Sequence, residues 1–439
     1  MPPSTDGAAV PPLPPPDDPT VGGLSGHIGF NRLWTGETAS QFGFQVAGLA
    51  TSAVAITLLH ATNQQIGVLG ALQTLAFLLI GLPAGAWVDR WRKRRTMIAA
   101  DLVRVVALVS IPLAWWWGAL TIGHLMVVAA VMGVATVFFD VSYQSFVPAL
   151  VGPSQIGEAN GRLEASFQVA RVAGPGLGGW LLGVVAAPAA YLLTAATYAF
   201  SAVAIWRIPG REARPEPPAD PKLWHQVRQG LDYVRSERLL GPLFLCISAA
   251  ALTGQGVQVL LPVLALRELG MSATTLGTLL SVGAVGGVLG AMMRHRIIAR
   301  LGVGHTIVVC NVLGVTANLG LPAAVLFPGH AAWVLVATNL VSSFFLTVYN
   351  VTQMSLRQQI CPPVLLGRLN ATFRFAVWGV MPLGALLAGF VAARLGVVPA
   401  MVCFVSGTVC AGLAMGFTPV ARMRRVPVRS AEQLPLAVA

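Results

Sequence analysis

Apolar residues in this chain gather in long runs, and the charges gather in the short stretches between them. Runs of 18 or more such residues can cross about 30 Å of hydrocarbon as helices. Six fall in the first part, at 29–58, 66–88, 96–117, 121–148, 158–182 and 186–208. Six more fall at 240–266, 275–298, 304–327, 331–356, 365–391 and 395–418. The pattern predicts an all-α polytopic membrane protein with twelve transmembrane helices. Glycine and proline recur inside the runs, which membrane helices tolerate better than soluble ones.

Composition agrees with the pattern. Charged residues make up 10% of the 439, against about 25% in ordinary soluble domains. Hydrophobic residues make up 55% and the mean hydropathy is +0.73, which leaves too little polar surface to cover a soluble fold of this size. The lipid bilayer is therefore the expected surrounding. A net charge of +12 would suggest nucleic acid in a soluble protein, but its placement excludes that partner. Five basic residues sit at Arg90, Arg92, Lys93, Arg94 and Arg95, seven between Arg207 and Arg238, and four from Arg422 to Arg429. The alternate connectors (59–65, 118–120, 183–185, 267–274, 328–330 and 392–394) hold only Arg267 and Arg394. The positive-inside bias places both termini in the cytoplasm, and Trp115, Trp116 and Trp117 then fall at the outer end of the third helix.

Residues 1–28 read as a Pro-rich cytosolic tail, with eight prolines in the first twenty positions and no apolar signal core. The first half spans 29–208 and the second 240–420, with a basic cytosolic tail at 421–439. Between the halves, 209–239 opens with Pro215, Pro217 and Pro218. Asp220-Pro221 can then start a helix, and Leu223, Val227, Leu231 and Val234 repeat at amphipathic spacing. The halves are related by an internal repeat. Phe138, Phe139 and Tyr143 recur as Phe344, Phe345 and Tyr349. Gly161-Arg162-Leu163, Ala165 and Phe167 recur as Gly367-Arg368-Leu369, Ala371 and Phe373. The offset is 206 throughout. It spans six helices, so the copies share one orientation and form parallel repeats.

Enzyme chemistry finds no support. The five cysteines (Cys246, Cys310, Cys361, Cys403 and Cys410) lack metal-ligand pairing and read as packing residues. The seven histidines sit near helix ends, in loops or in tails. No metal site, catalytic residue or cofactor is expected, and no G-x-x-x-x-G-K-S/T phosphate loop is present.

The loop after the second helix reads Gly85-Ala-Trp-Val-Asp89-Arg90-Trp-Arg92-Lys93-Arg94-Arg95. It resembles the signature G-x-x-x-D-R/K-x-G-x-R/K-R/K of the major facilitator superfamily, with Arg92 where the second glycine usually stands. A carboxylate at a helix end can pair with arginines and with the positive N-terminus of a facing helix, so Asp89, Arg90, Arg94 and Arg95 can act as a gate that breaks in one state. The simpler reading is a topology signal. Asp101 and Arg104, three apart in the third helix, read as scaffolding for that gate. The fifth helix holds Gly174-Pro175-Gly176-Leu-Gly178-Gly179, similar to the G-P-x-x-G-G signature of the superfamily's drug–proton exporters. Gly174, Pro175, Gly178 and Gly179 can form a hinge between halves, though any tight helix crossing could use them. Phe138-Phe-Asp-Val-Ser-Tyr-Gln-Ser, Asn160-Gly-Arg-Leu-Glu-Ala-Ser and Tyr349-Asn-Val-Thr-Gln-Met-Ser-Leu-Arg-Gln resemble the bacterial branch of macrolide-efflux and enterobactin-exporter proteins. That resemblance covers roughly 29–420.

Charges inside membrane helices are expensive and face a cavity or a partner. Glu37 lies about 12 Å into the first helix, and Asp140 lies at similar depth in the fourth. Its repeat equivalent is Leu346, so symmetric packing does not require an acid there. In the superfamily, helices 1, 4, 7 and 10 line the central cavity, which makes Glu37 and Asp140 the candidate proton carriers. The alternative is a structural pairing with arginine. Glu164, Arg171 and Arg374 are expected to form a buried ion pair with neighbouring helices. The resemblance implies a monomer that moves protons and a small amphiphilic molecule (antibiotic, drug or siderophore-like) outward across the cytoplasmic membrane. An importer, a uniporter or a non-transporting sensor on the same fold is the alternative.

Overall fold

The computed structural model describes residues 24–152, 154–209, 212, 240–360 and 363–423. The Pro-rich tail through residue 23, the amphipathic linker helix and the basic tail from 424 onward lie outside the described residues. Among the described residues twelve long helices dominate: α1 Ile28–Ala53, α2 Asn63–Arg90, α3 Lys93–Trp116, α4 Ile122–Val151, α5 Ile156–Val184 and α6 Ala190–Trp206, then α7 Leu240–Val263, α8 Ala273–Leu301, α9 Val303–Ala317, α10 Ala331–Ile360, α11 Pro363–Leu395 and α12 Val397–Gly416. No strand occurs among the described residues. Among the described residues, ten segments are long and apolar enough to cross a membrane. The other two are α6, with 17 residues, and α5, which carries Glu158, Arg162, Glu164 and Arg171. The chain is an all-α, multi-pass membrane protein.

Local chemistry explains where the helices begin and end. At α2, Thr62 Oγ1 accepts the Gln65 N–H and the Gln65 side chain accepts the Thr62 N–H at 2.8 Å, a reciprocal cap. Ser272 accepts the Thr275 N–H at the start of α8. A single residue, Gly302, separates α8 from α9 with φ +76°, a value that favours glycine. The run at 304–327 is not one helix. α9 stops at Ala317, and a four-residue turn Gly320–Ala323 and a 3₁₀ turn Ala324–Leu326 follow. Asn318 and Leu319 donate to carbonyls three residues back, and Pro322 has no N–H with which to continue the ladder.

The halves repeat each other in packing. In the first, α1 packs on α5 and α6, α3 on α4 and α6, and α2 on α4. In the second, α7 packs on α11 and α12, α9 on α10 and α12, and α8 on α10. The halves meet through α2 against α11 and α5 against α8. Both α1 and α7 end in five-residue π-helical turns, Val54–Leu58 and Leu264–Glu268, which touch each other.

The apolar core is divided unevenly. At the end bearing the Arg90–Arg95 loop, here the basic end, each half keeps its own core. Phe30, Met97, Phe139 and Ile205 belong to one, and Leu243, Ile307, Val348 and Met415 to the other. At the opposite end a single cluster joins Val54, Leu108 and Tyr191 to Leu264, Leu335 and Met401. The halves are closed together there and parted at the basic end.

Candidate functional site

Parting the halves leaves a cavity of about 770 Å³ between them. Its walls are α1 (Glu37, Thr38, Gln41), α4 (Tyr143), α5 (Asn160, Glu164, Phe167) and α10 (Asn350, Met354, Gln358). Two of the sequence segments singled out above, starting at Asn160 and Tyr349, therefore face each other across it.

Glu37 meets this cavity with an incompletely satisfied carboxyl. Its Oε1 accepts the Gln41 amide at 2.6 Å, while Oε2 is buried without a hydrogen-bond partner. Asp140 and the pair Asp101–Arg104 lie within electrostatic reach of it. Arg104 donates to Asp101 at 3.0 Å, and both are buried. The guanidinium stacks 4.6 Å from the Phe139 ring centre and 5.0 Å from that of Tyr198. Asp101 and Arg104 were expected beside the loop at the basic end. The structure instead sets them among the buried carboxyls, because Asp101 lies eight residues, about 12 Å, into α3.

The expected ion pair does not form. Glu164, Arg171 and Arg374 are all exposed. Glu164 accepts the Gln168 amide at 2.7 Å, and Arg374 lies 5.5 Å over Trp378. Glu164 and Arg171 share a face of α5, but seven residues separate them by about 10 Å, beyond direct contact. Arg374 does come within electrostatic reach of Asp140 from the other half.

At the basic end, Asp89 is exposed, and its carboxylate has no partner among the described residues. Arg90 and Arg95 are exposed as well. Arg94 turns inward within its own half. It donates to the Ile205 carbonyl at 3.1 Å and to that of Trp206, at the end of α6 where carbonyls run out of helical partners. Arg32 does the same for Arg207. Glu212 accepts the Lys93 and Arg94 N–H groups at 2.6 and 3.2 Å, which caps α3 with an acid where the helix dipole favours one. No local pattern ties Glu212 to residues 118 and 119 positions earlier, so sequence reading missed it.

The Gly174–Gly179 segment presents two faces. A Cβ on Gly174 would lie 2.6 Å from Gln45 and one on Gly178 would lie 3.2 Å from Val46, both on α1 of the same half. A Cβ on Gly179 would lie 3.0 Å from Gly277 of α8, in the other half. The second contact is tied by Thr274 Oγ1 donating to the Gly179 carbonyl at 2.8 Å and by the Gly176 N–H donating to Ser281 at 2.6 Å. The repeat supplies its twin. A Cβ on Gly67 would lie 2.7 Å from Gly389 Cα and 2.8 Å from the Ala385 carbonyl. One on Gly277 would lie 2.7 Å from Gly179 Cα and 2.3 Å from the Pro175 carbonyl. These pairs are related by an offset of 210, four residues more than the offset between Phe167 and Phe373. The extra residues amount to about one helical turn. Beside the Gly67 crossing, Arg267 of the second half donates to Asn63 Oδ1 at 2.7 Å and to the Ala61 carbonyl at 2.6 Å. Asn63 in turn donates to the Ala392 carbonyl at 3.1 Å. Among the described residues no group of His, Cys, Asp and Glu could hold a metal ion.

Known proteins resemble this chain in sequence and fold. The chain is 22% identical over 378 residues to macrolide efflux protein A of Streptococcus pyogenes, covering 84% of this chain and 90% of that protein. It is 26% identical over 329 residues to the multidrug efflux pump Tap of Mycolicibacterium fortuitum, covering 72% and 78%. The fold superposes on the crystal structure of a bacterial homologue of the iron transporter ferroportin in its inward-facing state, with TM-score 0.70 and 15% identity over 88% of this chain and 97% of that one. Against the outward-facing state of a bacterial ferroportin homologue the TM-score is 0.57, with 16% identity over 88% and 98%. Residues 33–383 match the Major Facilitator Superfamily. The chain belongs to that superfamily, and it is a transporter of small molecules rather than an enzyme.

Proposed function

We propose that this chain exports a small amphiphilic organic compound across the cytoplasmic membrane in exchange for protons, as a monomer with both termini in the cytoplasm. The observation that carries the reading is the placement of Glu37 and Asp140. Two carboxyls from α1 and α4 lie within electrostatic reach of each other, and Glu37 lines a cavity between halves that are closed together at the opposite end. A carboxyl at such a place can exchange its proton with one side at a time as the halves rock. Asp89 then serves as the gate at the cytoplasmic end, and the glycine crossings at Gly179 and Gly67 serve as the hinge. The names of the efflux relatives support the outward direction.

Reconstitution into proteoliposomes tests the reading. An imposed pH gradient should drive uphill movement of a substrate found by a susceptibility panel. Asp140→Asn should keep substrate binding and downhill exchange while losing uphill transport, and Glu37→Gln is its counterpart. Normal proton-driven transport by the double variant would remove both acids from the mechanism. Folding failure of both singles would point to a structural role, because an unpaired buried arginine destabilises strongly.

A further inference from the structure

One face of α8 changes character along its length. Val282, Val285, Leu289 and Met292 recur three and four residues apart, all exposed, with Met292 73% so. Arg296 and Arg300, exposed as well, continue the same row. The helix packs with its other faces. Gly277 meets Gly179 of α5, while Gly283, Gly286 and Gly290 meet Asn339, Leu340 and Phe344 of α10. Among the described residues that wall the cavity, none belongs to α8. Since Ala273–Leu301 is long and apolar enough to cross a membrane, the apolar row stands against hydrocarbon and the arginines stand where that row leaves it. We propose that this row is a docking site for an anionic phospholipid, its phosphate held by Arg296 and Arg300 and its acyl chain laid along Met292, Leu289 and Val285.

The charge of the second half calls for an anion from outside. From 240 to 420 the sequence holds one acid, Glu268, at the end away from these arginines. From 29 to 208 it holds six. The ion pairs formed among the described residues, Arg104–Asp101 and Arg162–Glu158, both lie in the first half. Arg294 is engaged with Ser355 at 3.4 Å and with His295 at 3.2 Å, but Arg296 and Arg300 have no partner among the described residues. The repeat sharpens the contrast. At offset 210, Arg300 answers to Arg90 of α2, but Ala299 stands where α2 has Asp89, and Arg296 where it has Ala86. Relative to its twin, α8 has gained a cation and lost the acid. Two arginines one turn apart are neighbours on a helix surface, close enough to share a phosphate, which each binds through paired N–H donors. A zwitterionic headgroup would set its own ammonium against them. A second copy of the chain fits poorly, since a two-fold contact along this row would bring the arginines against their own copies.

Delipidated full-length protein, titrated with dioleoylphosphatidylglycerol or dioleoylphosphatidylcholine and read by native mass spectrometry, tests this. The phosphatidylglycerol should bind at least about tenfold more tightly. Arg296→Gln and Arg300→Gln should each weaken it about fivefold, the worth of one arginine at an anionic surface, and leave the phosphatidylcholine unchanged. Melting temperatures should match that of the unaltered protein, because both side chains are exposed. Arg92→Gln combined with Lys93→Gln removes as much charge from the loop after α2, and should weaken the phosphatidylglycerol by less than about twofold. Equal affinity for the two lipids, unchanged phosphatidylglycerol affinity in the double variant at 296 and 300, or an equal loss in the variant at 92 and 93 would each overturn the proposal. Glycerol 1-phosphate binding as tightly as the phosphatidylglycerol would show a site for soluble phosphate and overturn it too.

Discussion

Arg267 and Asn63 join the two halves of the molecule across 204 residues of chain, with the guanidinium 2.7 Å from the Asn63 side-chain oxygen. The same arginine also holds the Ala61 carbonyl, so one side chain fixes a whole turn of the facing half. Each such bond contributes about 1 kcal/mol net. Arg267→Ala should therefore shift the population toward opening at that end by about tenfold or more. Spin labels at Thr62→Cys and Ser272→Cys would read this as a longer-distance population. An unchanged distance distribution would show that the contact holds nothing shut.

The orientation is cheap to check. In a background without native cysteines, Thr62→Cys or Ser272→Cys should react with an impermeant thiol reagent applied to intact cells, and Lys93→Cys should not. Labelling at position 93 would invert the proposed topology.

Gly67 and Gly85 are 18 residues apart on α2, which is about five turns and therefore one face. Gly67 is pressed against Gly389, whereas a Cβ on Gly85 would meet nothing within 4 Å. Gly161 and Gly179 repeat this relation on α5. Gly85→Val should leave the present state intact and obstruct closure of the basic end, lowering transport without lowering melting temperature. Gly277→Val should do the opposite, since its Cβ would stand 2.3 Å from the Pro175 carbonyl. Accessibility of a cysteine at position 62 would fall or stay unchanged in the first variant and rise in the second.

Asp89 has no partner among the described residues in this state, so neutralising it should cost nothing here. Asp89→Asn should express and insert normally yet abolish net transport, because the missing charge acts only when the basic end closes. Full activity in this variant would reduce the loop to a topology signal.

Much of this was legible from residue order. Runs of apolar residues are set by membrane thickness, so twelve helices could be read without tertiary knowledge. The repeat at offset 206 gave the two parallel halves. Contacts between distant positions could not be read in this way. Arg267 registered only as an exception to the charge bias, because its partners lie on another helix end. Glu164 and Arg171 looked like partners because they share a face, but rise along the helix separates what rotation aligns. Arg94 looked like part of a gate, yet carbonyls at the nearby end of α6 hold it. The glycine pairs were hidden because they follow an offset of 210, four residues out of register with the more conspicuous aromatic repeats.

As the proposed hinge, the two glycine crossings also set a mechanical ratio. From Gly67 to Gly85 the helix rises about 27 Å, so each degree of tilt about the crossing moves the basic end by roughly half an ångström. Backbones that touch at the fulcrum waste none of that tilt on compressing side chains. An aperture of about 10 Å, wide enough for a small organic molecule, then asks for only about 20° of rotation.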